Sequence, residues 1–230
     1  MFQGLVQLIT NALHFFYSFT KSYALAIVLL TLLIKLILHP LTRTQLKSMK
    51  GMQVLAPKME ELRRKYKDDP QRLNQELMQL YRAHGVNPFG GCLPMLIQLP
   101  VLWALFRALY TPGLFNGATI LGIPLDAVPR LSLEVLTKHP SWMIFPVLVG
   151  ATTYLQQHLT VTDPAQARMF ILMPVMVAYF ATLMPIGVSV YWIVSTLAYL
   201  VEYLVVVGRP RPLAQRPSPA RAVQKGARRT

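Results

Sequence analysis

Five apolar stretches, each about as long as a bilayer core is thick, constrain this chain more than any other feature. They cover residues 23–41, 92–110, 141–159, 168–184 and 185–207. A helix needs about 20 residues to cross hydrocarbon, with a usable range near 17–25, and 168–184 sits at its lower edge. A soluble domain of 230 residues could not bury five helices that are apolar on every side. Composition agrees, with 53% hydrophobic and 14% charged residues, where a soluble domain carries about 25% charged. The chain is therefore read as an all-α integral membrane protein with five transmembrane helices.

Charge placement orients those spans. Of 23 Lys and Arg, ten lie in 42–91 and seven in 208–230. Bases in short loops mark the cytoplasmic side. Five spans with the N-terminus outside put both basic segments inside, along with the short loop 160–167. Segment 111–140 then lies outside, and its two bases are balanced by two acids.

The flanking segments have their own patterns. In residues 1–22, Phe2, Leu5, Val6, Ile9, Leu13 and Phe16 recur at helical spacing among polar residues, which predicts an amphipathic helix on the outer membrane surface. Met1 to Thr20 has no Lys, no Arg and no small-residue cleavage site, so it does not read as a signal peptide. In 42–91, Met52, Leu55, Met59, Leu62 and Tyr66 form one seam and Leu73, Leu77, Leu80 and His84 another. Between them Asp69 is placed to cap and Pro70 to start a helix, while Gly85 ends it. The two seams predict an antiparallel cytoplasmic hairpin, with Pro57 bending or interrupting its first helix. The tail 208–230 has four prolines, seven bases and no acids, a composition that cannot bury apolar surface.

The residue that most needs a role is Lys35, about 12 Å inside the membrane at 1.5 Å per residue. A charge near the bilayer centre costs at least about 2.5–3.5 kcal/mol, so Lys35 either snorkels to the interface or faces a wet cavity. Neighbouring polar stripes favour the cavity. Thr31, Lys35 and His39 share one helix face. Ser189, Trp192, Thr196 and Tyr199 make a second stripe, with Ser195 beside it, and Thr152, Thr153, Gln156 and Gln157 a third, while Gln98 adds a polar group in the second span. Glu202 is the only intramembrane carboxylate placed to pair with Lys35, the alternative for it being interfacial water. Arg107 is expected to snorkel outward, and Tyr23 and Trp142 to act as interface anchors.

Enzyme chemistry finds no support. The single Cys92 and five scattered His give no metal-ligand spacing, and no phosphate loop, HExxH or Ser–His arrangement occurs. No cofactor is implied. Glu60, Glu61, Asp68 and Asp69 sit among many bases and read as a solvated helix face.

One motif carries a resemblance. The run Asn87 to Pro100, NPFGGCLPMLIQLP, resembles the second-span signature of the YidC family of membrane protein insertases. LTLLIKLILHP in the first span and Pro185 to Trp192 in the last are also similar to that family. The resemblance implies a five-span core around a hydrophilic groove open to the cytoplasm and lipid. Its groove cation, usually Arg, aligns with Lys35, and Thr196 stands where many relatives carry Asn. It further implies that the hairpin helps receive substrate, for which Met52, Met59, Arg63 and Arg64 are the candidates. The basic tail, with Arg209, Arg211, Arg216, Arg221, Lys225, Arg228 and Arg229, is similar to tails that bind ribosomes, anionic lipid being the alternative partner. By this resemblance the chain is expected to be the short form typical of single-membrane bacteria, without the large extracytoplasmic domain of some relatives.

The expected function is insertion of hydrophobic segments of nascent membrane proteins into the lipid bilayer, with the general secretion channel a candidate partner. Two rivals stand beside it. A membrane chaperone would assist spans without moving anything across, and eleven methionines suit its adaptable surface. A small-molecule transporter would show two matching halves, and no such repeat is present.

Overall fold

The computed structural model describes residues 2–86, 93–111, 113–115, 117–161 and 171–208. Eight α-helices run through them: α1 Phe2–Thr20, α2 Tyr23–Lys65, α3 Pro70–Ala83, α4 Leu93–Leu109, α5 Leu133–Lys138, α6 Ile144–Thr160, α7 Met173–Ala181 and α8 Ile186–Val206. Each apolar stretch of the sequence contains a helix. Two of them, α2 and α8, are long and apolar enough to cross a membrane by length and composition. The basic tail, its seven bases included, lies outside the described residues.

α2 joins two expected segments, the first span ending at 41 and the hairpin starting at 42, with no helical break between them. One helix of 43 residues carries both, about 65 Å at 1.5 Å per residue and about twice a hydrocarbon core. Pro40 and Pro57 both lie inside it, and Pro57, expected to bend or interrupt the helix, does not interrupt it. Each proline removes one amide donor, a cost of about 3 kcal/mol in a helix interior. Packing on either side of Pro57 offsets that cost, because Leu55 and Met59 are both buried.

The rest of the hairpin follows its local signals. Asp69 caps α3 by accepting from the Arg72 amide at 3.0 Å, and Pro70 is the first residue of the helix. Gly85 ends the hairpin at φ +62°, a left-handed conformation that costs glycine nothing. α3 buries none of its residues completely. The Tyr81 hydroxyl meets the Met59 sulfur at 3.7 Å, and Tyr66 reaches Glu76 at 3.5 Å.

The densest packing gathers near one end of the bundle. There α1 and the start of α2 meet the end of α4, the segment after it and the start of α8 around Leu13, Ile27, Leu105, Phe115, Leu125 and Ile186. Tyr23 belongs to this core: it is buried, stacked on Tyr17 at 4.1 Å and edge-on to Phe115 at 5.7 Å. The expectation that Tyr23 anchors at an interface is thereby corrected, because packing claims its whole ring. Segment 117–127 forms a small antiparallel hairpin, Thr119–Ile120 with Ile123–Pro124. It then caps α8, whose Ile186 and Gly187 amides donate to the carbonyls of Ala127 and Leu125 at 3.0 and 2.9 Å. Gly187 permits this closure, since a Cβ there would lie 2.8 Å from Phe115 Cζ.

α1 matches its expected amphipathic pattern and adds to it. Ile9 and Leu13 are buried against the bundle, while Leu8, Phe15 and Phe19 form a second, exposed apolar stripe. Gln3, Gln7, Asn11, His14 and Ser18 occupy an exposed polar sector between them.

Candidate functional site

Beyond the packed end, α2 and α8 separate enough to leave a polar hollow. A cavity of about 230 Å³ is lined by Lys35, Thr42 and Gln45 from α2, Gln156 from α6, and Tyr191, Trp192, Ser195, Thr196 and Tyr199 from α8, with Leu102 of α4 at its side. The helical period explains the assembly. Lys35 and Thr42 recur on one face of α2, and Trp192, Ser195 and Tyr199 follow at steps of three and four on α8. The Lys35 ammonium lies 5.8 Å from the centroid of the Tyr199 ring, within the range of a cation–π contact. The tyrosine hydroxyl meets the Met49 sulfur at 3.5 Å.

Other sequence candidates are used differently. Thr31 shares the Lys35 face but is fully buried, and its hydroxyl donates to the Ile27 carbonyl at 2.6 Å, so it does not line the cavity. Thr153 is buried and accepts from Trp192 Nε1 at 3.2 Å, which fixes the indole at the cavity wall. Ser189 is also buried and lines a separate apolar cavity of about 170 Å³ between α6, α7 and α8. Its hydroxyl has no partner among the described residues. Trp192 lines both hollows. Gln157 is half-buried and outside the polar lining, and the side chain of Gln98 lies outside the described residues.

The candidate Lys35–Glu202 pair does not form. Glu202 instead holds His39, Oε1 to Nδ1 at 2.5 Å, because one turn of helix separates His39 from Lys35 and brings the imidazole level with the carboxylate. A second tie runs further along the same helices. Gln53 Nε2 donates to the Tyr203 hydroxyl at 3.0 Å, and that hydroxyl donates to the Leu159 carbonyl at 2.8 Å.

In the hairpin, Met52 and Arg63 are half-buried and Arg64 is exposed. Met59 is buried under Tyr81, so it packs the hairpin instead of presenting its thioether. Arg107 stacks over Trp103 at 5.9 Å, and Trp142 on His139 at 4.5 Å.

Thr42, Gln45 and Tyr191 line the cavity without having been singled out in the sequence. Thr42 and Gln45 fall past the expected end of the first span. The step of seven from Lys35 to Thr42 would have found Thr42 had the helix been extended.

With this geometry in view, residues 15–210 match the family described as 60Kd inner membrane protein. The chain belongs to that family. It is 38% identical over 213 residues to a membrane protein insertase YidC of Wolinella succinogenes, covering 90% of this chain and 38% of that protein. It is 41% identical over 197 residues to one of Oleidesulfovibrio alaskensis, covering 84% of this chain and 36% of that protein. The fold is similar to a crystal structure of an active YidC insertase with its first transmembrane domain resolved. The TM-score is 0.66 at 33% identity, covering 87% of this chain and 44% of that one. The chain thus spans less than half the length of these relatives. Membership of the 60Kd inner membrane protein family places it in the bacterial plasma membrane.

Proposed function

We propose that this protein moves hydrophobic segments of nascent membrane proteins from the cytoplasm into the bilayer, using the Lys35 cavity as a hydrophilic groove. The observation that carries the reading is a cation in an apolar helix, held over an aromatic ring beside a polar hollow of about 230 Å³. A charged residue crossing hydrocarbon meets a barrier of at least about 2.5–3.5 kcal/mol at the centre, and a wet hollow shortens that path. In this reading five helices span the membrane, N-terminus outside, and the densely packed end closes the groove from the outside. Lys35 attracts acidic residues of the passing tail, while Trp192 and the adjoining apolar cavity let the substrate helix move into lipid. Partitioning of about 20 apolar residues supplies the driving force.

The test is protease protection of a single-span substrate with an acidic tail, in vesicles holding this protein as the only added factor. Lys35→Glu is expected to stop insertion, and undiminished protection would refute the role of the cation. The apolar cavity favours a second activity of the same site, in which spans are sheltered while they pack. The basic tail is proposed to contact ribosomal RNA phosphates, so removal of residues 209–230 should abolish sedimentation with ribosomes. Binding by a polycation should also fall steeply between low and moderate salt. Equal sedimentation with and without the tail would sink that part.

A further inference from the structure

The His39–Glu202 pair is adjacent to the groove, and nothing in the mechanism above uses it. Glu202 lies in α8, on an apolar helix where a carboxylate is expensive unless it is paired. It is only half paired: Oε1 meets His39 Nδ1, while Oε2 is buried with no hydrogen-bond partner among the described residues. The pair sits one turn below Lys35 and Tyr199, since His39 follows Lys35 by four and Glu202 follows Tyr199 by three. The ammonium over the ring and the imidazole on the carboxylate are therefore successive rungs between the same two helices. Glu202 is within electrostatic reach of Lys35, yet their charged groups do not form an ion pair.

We propose that Glu202 sets the charge preference of the groove, as an internal carboxylate that competes with substrate carboxylates for Lys35 and that His39 holds back. The proposal rests on the groove reading above. With His39 on Oε1, the ammonium remains available to an acidic residue entering the cavity. Without the imidazole, Glu202 is free to turn toward Lys35, which lies one rung along on the facing helix and within electrostatic reach. Opposite charges at that range attract strongly where water is scarce, and the cation would be quenched from within. Without the carboxylate, the cation stands alone and acidic tails gain.

The two substitutions therefore move selectivity in opposite directions, which loss of a packing contact would not do. The experiment uses the full chain in vesicles and single-span substrates differing only in the translocated tail, carrying Asp or Lys at matched positions. The readout is the ratio of protected acidic to protected basic substrate. Glu202→Gln should raise that ratio about three- to tenfold, and Glu202→Asp should fall between it and the parent. His39→Gln should lower the ratio by a similar factor, and the double variant should behave like Glu202→Gln, because the carboxylate that His39 restrains is gone. An unchanged ratio in both single variants, or a shift of both in the same direction, would overturn the proposal. Lys35→Gln separates this from failure of the underlying reading. If Lys35→Gln leaves the parent ratio unaltered, the groove cation itself is wrong. If it flattens the ratio while His39 and Glu202 variants do not move it, only the present inference falls.

Discussion

At the scale of single residues, the structure turns on which polar atoms find partners. Tyr203 is fully buried in α8, and its hydroxyl takes a hydrogen bond from Gln53 and gives one to Leu159. Tyr203→Phe leaves an amide and a carbonyl without that partner while changing almost no volume. Stranding buried polar groups costs about 1–3 kcal/mol. Thermal unfolding in detergent should therefore shift down, and an unchanged midpoint would show that water replaces the hydroxyl freely. The sequence did not foretell this tie. A tyrosine near a span end reads as an interface anchor, and only the approach of Gln53 gives it another task. Lys35 was legible for the opposite reason: a charge inside an apolar helix is expensive wherever the helix points. Tyr199 was already named in a polar stripe at the same cavity, but its contact with Lys35 was not legible, since that depends on how α2 and α8 pack.

At the scale of elements, local signals worked where the chain answers only to itself. The Asp69 cap, the Pro70 start and the Gly85 stop are decided within a few residues, and the structure follows them. They were overridden by tertiary packing in α2, whose helix continues through Pro40 and Pro57. The junction of α8 with the segment before it shows how tightly elements approach. Gly187→Ala would put a Cβ 2.8 Å from Phe115 Cζ and 3.5 Å from Ile27 Cδ1. Phe115 is itself buried against Tyr23 and has little room to swing. Overpacking of this kind costs about 1–3 kcal/mol. The alanine variant should unfold at lower temperature, and Phe115→Leu in the same chain should recover part of the loss. Additive losses in the double variant would mean that the phenyl ring is not what Gly187 accommodates. A similar approach joins α6 to α7, where a Cβ on Gly150 would meet the Ala178 methyl at 2.9 Å, as small residues allow between membrane helices.

For the whole molecule, the contrast between a packed end and a hollow end carries the functional argument. Core residues such as Leu105 and Val190 are almost completely buried, whereas Ser195 and Tyr199 border the polar cavity. In a chain with Cys92 replaced by Ser, cysteines at 195 or 199 should react quickly with a membrane-impermeant thiol reagent supplied on the cytoplasmic side. Cysteines at 105 or 190 should stay protected from either side. Reaction of the cavity positions only from the outside would reverse the proposed orientation, and no reaction from either side would mean the hollow is dry.

The sequence by itself determined that this chain is helical and belongs in a membrane, and it named the cation around which a site would form. Hydrophobic length, the 3.6-residue period, caps and an intramembrane charge are properties of short stretches, and they can be read without knowing what lies next to them. Only the tertiary structure decided that α2 continues past its span, that Thr42, Gln45 and Tyr191 join the cavity, and that Glu202 meets His39 and leaves Lys35 to Tyr199. Those outcomes depend on how far each helix is rotated and slid against its neighbour. A shift of one turn exchanges one partner for another, and residues 163 positions apart in the chain carry no local record of that register.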